Sequence, residues 1–171
     1  TIFGVNFVDG RIKGYPKYQP RTGTDNKMYF RLVRGNTGYG KNNFIDNGDG
    51  TVSDYATGLM WQKADDGTGK DWETSLSYAE NLELASHTDW RLPNAKELQS
   101  IVDYTRSIQT TNSAAIDPVF ETTEIKDQNG KKQYPYFWTS TTHLDGKNPN
   151  AGAVYIAFGA SQGKMRNEIM D

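Results

Sequence analysis

The residues with the greatest capacity for chemistry are three aspartates, Asp46, Asp49 and Asp54, in the glycine-rich run Asp46-Asn47-Gly48-Asp49-Gly50-Thr51-Val52-Ser53-Asp54. Closely spaced carboxylates on a turning backbone can hold Ca²⁺, which is satisfied by several carboxylate and carbonyl oxygens. The spacing does not fit an EF-hand loop. With Gly50 at that loop's invariant glycine, Ile45 falls on the first ligand position and Ala56 on the last, where carboxylates are required. Asn-Gly and Asp-Gly pairs also serve left-handed turn positions with no metal at all. A hairpin turn is therefore the first expectation, with an irregular calcium site on Asp46, Asp49 and Asp54 left open beside it.

Other chemistry is sparse. The chain has two histidines, His87 and His143, and neither belongs to an i, i+4 pair or an HExxH motif. No serine sits in a Gly-x-Ser-x-Gly elbow. Asp65-Asp66 lies in a glycine-rich loop, where solvated turn carboxylates are expected. Gly38-Tyr39-Gly40-Lys41 lacks the remaining glycines and the hydroxyl of a phosphate-binding loop. Cysteine is absent, which removes disulfides, thiolate nucleophiles and thiolate metal sites together. No cofactor is expected.

The elements that must position these residues can be read from the local pattern. Pro93 biases Leu92 towards an extended conformation and suits the approach to a helix. Asn94 with Glu97 three residues on forms a capping-box signal, and Leu98, Ile101 and Val102 share a helical face. This helix is expected to run to about Tyr104. A second helix is expected after Asp71, with Trp72, Leu76, Ala79 and Leu82 on one face. Strands are expected at residues 2–8, closed by Asp9-Gly10, and at Met28–Val33. Further strands are expected on both sides of Asn47–Gly50, from Tyr134 to Ser140, and from Ala153 to Phe158. Residues 11–20 and 105–123 read as irregular. Trp61, Trp72, Trp90 and Trp138 fall in these elements and are expected to pack in the core; a sugar-stacking role would require an open indole face.

At 171 residues the chain is long enough for one domain with a substantial core. A net charge of −2 gives no electrostatic case for nucleic acid. No apolar run approaches the roughly 20 residues that span a bilayer. Thr1 is not an initiator methionine, so the lack of a leader says nothing about export.

Three motifs, taken in order, resemble the Lcl C-terminal-domain-like family. The first is the aspartate run above, continuing through Ala56-Thr57-Gly58-Leu59-Met60-Trp61-Gln62. The second is Asp89-Trp90-Arg91-Leu92-Pro93 followed by Lys96-Glu97-Leu98. The third is Phe137-Trp138-Thr139-Ser140-Thr141 with Ala153-Val154-Tyr155-Ile156-Ala157-Phe158-Gly159. The resemblance spans residues 44–159. It implies bacterial extracellular modules, best known from a collagen-like adhesin, with a fold related to C-type lectins and formylglycine-generating enzymes.

The expected architecture is accordingly α+β and C-type-lectin-like: short antiparallel sheets, two short helices and long ordered loops. It forms a single domain over residues 1–171, with 1–43 as an N-terminal strand and irregular extension and 44–171 as the family core. The family usually carries a cysteine near Ala79, paired with one in a closing strand beyond residue 171. Here the first position is alanine. The closing strand is expected to come from a separate chain after cleavage, to have been lost, or to be replaced by another subunit covering the open edge. Formylglycine-generating chemistry needs cysteines, so no enzymatic activity is expected.

In the related lectins the variable surface lies on loops before and within the last strands. Carried onto this chain, the resemblance points to His143, Asp145, Lys147, Asn148, Asn150 and Arg166 as ligand-binding residues, with Ser161, Gln162 and Lys164 beside them. The Glu-Pro-Asn type of calcium–sugar motif is absent, since Asn148-Pro149-Asn150 lacks its carboxylate. The expected function is a non-enzymatic extracellular or cell-surface binding module, adhesin-like, recognising a glycan or a protein. The alternative is a structural subunit that self-assembles into a homo-oligomer or filament.

Overall fold

A computed structural model describes residues 2–5, 12–143, 152–160, 163–165 and 168–170. They divide into two compact units, Thr1–Thr37 and Gly38–Asp171. The architecture is mixed α+β, with small antiparallel sheets and three short helices among the described residues.

In the first unit, β1 (Ile2–Val5) pairs antiparallel with β2 (Ile12–Tyr15), Ile2 opposite Tyr15 and Val5 opposite Ile12. The first strand agrees with its sequence pattern as far as Val5. The second corrects the expectation of irregular chain over residues 11–20. Met28–Val33 is a correction in the other direction, for it adopts no strand. Its residue types favour extended chain, but a strand exists only with a partner for its backbone groups. No sheet among the described residues includes it.

The second unit opens with a three-stranded meander of β3 (Phe44–Asp46), β4 (Thr51–Asp54) and β5 (Leu59–Gln62). The aspartate run makes the first hairpin, as its turn signal predicts, with Asp46 opposite Val52. Gly48 and Gly50 sit at φ 77° and 89°, which favours glycine at both. Gly58 at φ 73° turns the chain into β5.

Helix α1 (Trp72–Glu80) starts where Asp71 accepts the Thr74 N–H, and its inward face carries the buried Ala79. Helix α2 (Ala95–Ser100) has the predicted reciprocal cap between Asn94 and Glu97. It ends at Ser100, not Tyr104. Val102 leaves it to bridge Ile116, which removes the chain from the helical path. A third helix, α3 (Ile108–Thr111), lies in the stretch expected to be irregular. Ser107 caps it, and Asn112 ends it in the left-handed region. One turn offers too little periodicity to be read in advance.

β6 (Ile125–Lys126) and β7 (Lys132–Gln133) form a small hairpin, and β8 (Tyr136–His143) pairs with β9 (Gly152–Ala157) as the third motif predicts. β10 (Gly163–Met165) and β11 (Glu168–Met170) pair with each other. The buried core gathers Val52, Leu98, Ile101, Ile116, Phe120 and Phe158 from the meander, α2, the 114–120 segment and the end of β9. Full burial of side chains of this size contributes about 1.5–3 kcal/mol each.

The β8–β9 register shifts between Trp138 and Thr142, a bulge that re-aims the strand. Inside it Thr139 is fully buried and donates its hydroxyl to the Val154 carbonyl at 2.8 Å. The arm and helix of the second motif are fastened here. The Ser140 N–H reaches the Pro93 carbonyl at 2.9 Å, and the Thr141 hydroxyl accepts the Ala95 N–H at 2.9 Å. The segment around Trp90 therefore positions the strand that carries Trp138.

Candidate functional site

The three aspartates of the first motif are each used within the hairpin. Asp46 accepts the Gly48 N–H at 3.0 Å and pairs with Lys63 at 3.0 Å; the backbone bond and the ammonium hold its carboxyl below its ordinary range. Asp49 accepts both the hydroxyl and the N–H of Thr51, at 2.6 and 3.1 Å. Asp54 faces inward and accepts from the Asn43 N–H, the Asn42 amide, the Ala56 N–H and the Thr57 hydroxyl. Burial alone would raise the Asp54 carboxyl, but these four donors outweigh it and hold it low. Among the described residues no three His, Asp or Glu side chains are grouped so as to hold a metal ion. Asp46, Asp49 and Asp54 are each engaged within the hairpin, in keeping with the turn reading. Strand alternation and the turn send the carboxylates to separate partners, each tying down a backbone amide of the hairpin.

Of the loop residues expected to bind, His143 is half-buried at the end of β8, opposite Gly152. Asp145, Lys147, Asn148, Asn150 and Arg166, with Ser161 and Gln162, lie outside the described residues.

A cavity of about 660 Å³ opens in the second unit, at the upper middle of the ordinary range for small-ligand sites. Its walls are aromatic: Trp61 from β5, Tyr78 from α1, Trp90 from the arm before α2, and Tyr136 and Trp138 from β8. Period-two alternation places Tyr136 and Trp138 on one face of β8. Tyr155 of β9 meets both edge-to-face, with centroids 5.1 and 6.2 Å away. Phe137 packs on core Phe158, with ring centroids 5.3 Å apart, and both also line the cavity.

None of the four tryptophans is fully buried, which modifies the expectation that they pack wholly in the core. Trp61 lies against the core, while Trp61, Trp90 and Trp138 also wall the cavity. Two of these indoles are fixed by hydrogen bonds. Trp138 Nε1 donates to the Lys70 carbonyl at 3.0 Å and Trp90 Nε1 to the Leu84 carbonyl at 3.3 Å. Trp72, outside the cavity lining, donates to the Thr139 carbonyl at 2.8 Å and so braces α1 on the β8 bulge.

Each cation of the polar rim faces a carboxylate. Lys63 pairs with Asp46 and Glu121, Lys70 with Asp66, and Arg91 with Glu97. Arg91 makes a two-pronged contact, both N–O distances 2.8 Å, and this guanidinium holds the Glu97 carboxyl below its usual range. Lys70 also stands 4.8 Å over the Tyr78 ring. Asp65 is fastened to Thr123 through its backbone N–H at 2.8 Å and through its hydroxyl, which closes the loop at the rim. Asp89 is exposed at the same rim. Sequence reasoning did not single out Tyr78, Tyr136 or Lys70. The available signal was the Tyr136–Trp138 alternation next to two other motif tryptophans, and it gains meaning only once the three segments are brought together.

No helix among the described residues is long and apolar enough to cross a membrane. Comparison with curated proteins and with solved structures gives no match. The family comparison gives a match to the Lcl C-terminal domain over residues 50–170, a span holding the second and third motifs, the first from Gly50 onward, and every wall of the cavity. The chain belongs to the Lcl C-terminal domain family.

Proposed function

We propose that the second unit is a non-enzymatic binding module of the extracellular or cell-surface, adhesin-like type, built as a C-type-lectin-like fold, and that it takes an uncharged glycan into its aromatic cavity. The observation that carries this reading is the cavity itself. Three indoles and two phenols converge from four separate segments on one concave surface, with carboxylates, hydroxyls and the Gln62 amide around them. Sugars offer apolar C–H faces and outward hydroxyls, and a wall of rings under a polar rim matches both.

The charge arrangement favours a neutral ligand. Each lining cation, Lys63, Lys70 and Arg91, already faces a carboxylate, and Asp89 adds an exposed negative charge. A sulfated or carboxylated sugar would meet net repulsion there.

A glycan array followed by titration of tryptophan fluorescence tests the proposal. Neutral saccharides should bind and quench the indoles, and Tyr78→Ala and Tyr136→Ala should each weaken binding at least about tenfold, as loss of an aromatic contact of 1.4 kcal/mol or more implies. Both side chains are exposed enough for the fold to survive their removal. Absence of any glycan signal, or binding indifferent to both substitutions, would overturn it.

A further inference from the structure

The chain contains two Asn-Gly pairs, Asn47-Gly48 and Asn129-Gly130, each in a hairpin turn of the second unit. The pair matters chemically, because glycine leaves its own backbone nitrogen unshielded by a side chain. That nitrogen can attack the side-chain carbonyl carbon of the asparagine before it. Both glycines lie in the left-handed region, Gly48 at φ 77° and Gly130 at φ 73°, and both asparagines are exposed to water. In glycine conformation and solvent access the two pairs are closely alike.

Their hydrogen bonds set them apart. Asn47 Nδ2 donates to the Thr51 hydroxyl at 2.8 Å and to the Ser53 hydroxyl at 2.9 Å. Its Cγ can swing onto the Gly48 nitrogen only after these ties break, because attack requires the reacting atoms to be close and aligned. The Gly48 N–H also donates to the Asp46 carboxylate at 3.0 Å, and a negative charge there opposes loss of the amide proton.

At Asn129 the restraints fall on the backbone alone. Asp127 Oδ1 accepts the N–H groups of Asn129 and Lys131, both at 2.8 Å, which holds the turn. The Gly130 N–H donates at 3.0 Å to the backbone carbonyl of Asp127, an uncharged acceptor. Among the described residues no hydrogen bond engages the Asn129 side chain, so its Cγ is free to rotate towards the Gly130 nitrogen.

We propose that Asn129 is a site of spontaneous covalent modification, deamidating through a cyclic imide, and that the fold protects Asn47 from the same reaction. The Gly130 nitrogen gives its proton to hydroxide and bonds to Asn129 Cγ. The Cγ–Nδ2 bond breaks, and Nδ2 leaves as ammonia after taking a proton from water. A water molecule then opens the imide, at Cγ to give aspartate or at the backbone carbonyl carbon to give isoaspartate. Nothing is oxidised or reduced, and water is the only co-reactant. Each event adds a negative charge to the turn between β6 and β7. The isoaspartate product also routes the main chain through Cγ, which lengthens the turn.

Peptide mapping by mass spectrometry tests this on the full chain, held folded at mildly alkaline pH in heavy-oxygen water. Acid should form at Asn129 at least about tenfold faster than at Asn47, as the two side-chain hydrogen bonds at Asn47 imply. The product should carry heavy oxygen and divide between aspartate and isoaspartate. In guanidinium the two rates should converge, since the unfolded chain no longer ties down Asn47. Ser53→Ala removes one of the ties and should speed conversion at Asn47 several-fold while leaving Asn129 unchanged. Equal rates in the folded chain, or no acid at Asn129, overturn the proposal. A rate gap that survives in guanidinium, or a Ser53→Ala chain in which Asn47 converts as slowly as before, overturns it as well.

Discussion

The Thr141 hydroxyl accepts the Ala95 N–H at 2.9 Å, joining the first residue of α2 to a bulged strand 46 positions away. The first amides of a helix have no partner within it, and a helix of six residues has little cooperativity to tolerate an orphan. Thr141 thus caps α2 from outside while Asn94 caps it from within, accepting the Lys96 and Glu97 N–H groups. Thr141→Val keeps the shape and removes the acceptor. We expect a loss of about 1 kcal/mol in urea unfolding, with the m-value unchanged.

Asp54 carries a heavier share of the fold. Its side chain is 1% exposed and receives four donors from residues 42–57, so one carboxylate defines the shape of the meander. Asp54→Asn can keep an oxygen on the Asn43 and Ala56 N–H groups but then turns an N–H₂ towards the Asn42 amide and the Thr57 hydroxyl in a covered site. The expected cost is about 3 kcal/mol, far above that of a surface Asp→Asn, and guanidinium unfolding of the two variants in parallel would measure it.

The same carboxylate predicts the direction of acid instability. Its native value is held below the ordinary 3.8, so the unfolded chain takes up the proton first. The stabilisation is complete above 3.8 and is lost as pH falls through the native value. Asp46, held by Gly48 and Lys63, and Glu97, held chiefly by Arg91, shift in the same direction and add to the slope. Thermal unfolding should be nearly level from about pH 7 to 5 and drop steeply below about pH 4. In Asp54→Asn that drop should be shallower, because one of the titrating groups has gone. An equal slope in both proteins would refute the assignment.

The contrast between what was readable in the chain and what was not has a physical cause. The Asn94–Glu97 cap, the Asp71 cap, the glycine turn at residues 47–50 and the β8–β9 pair are written in neighbouring residues, and all are present. Met28–Val33 has equally good local credentials, but its outcome depends on a partner strand that local sequence does not specify. The aspartate run could be read two ways from neighbouring residues, as a turn or as an ion site, and the turn is what forms. Three carboxylates close in sequence suggest one ion, whereas alternation along β3 and β4 sends them to Lys63, to Thr51 and into the interior. The cavity was the least legible feature. Trp61, Trp90 and Trp138 stand in separate motifs, and the ties from Ser140 to Pro93 and from Ala95 to Thr141 bring two of those motifs side by side.

Gly159, directly after core Phe158, gives a severe test of packing at the end of β9. A Cβ placed on it would come within 2.0 Å of Gln133 Oε1 and 3.0 Å of both the N and O of Tyr134. The Gln133 side chain cannot simply swing aside. It is buried, its Oε1 accepts the Tyr134 N–H at 2.9 Å and the Ala160 N–H at 3.0 Å, and its Nε2 donates to the Ala160 carbonyl at 2.8 Å. One amide side chain therefore completes the backbone pairing between the two segments, and glycine provides the room for it. Gly159→Ala must either break these bonds or push the β7 segment away from Phe158, so we expect a loss of about 3 kcal/mol or more. Gln133→Ala in the Gly159→Ala background should cost less than the sum of the two single changes, because removing the amide relieves the clash. Additive losses in that double-mutant cycle would show that the Gln133–Gly159 contact does not carry the effect.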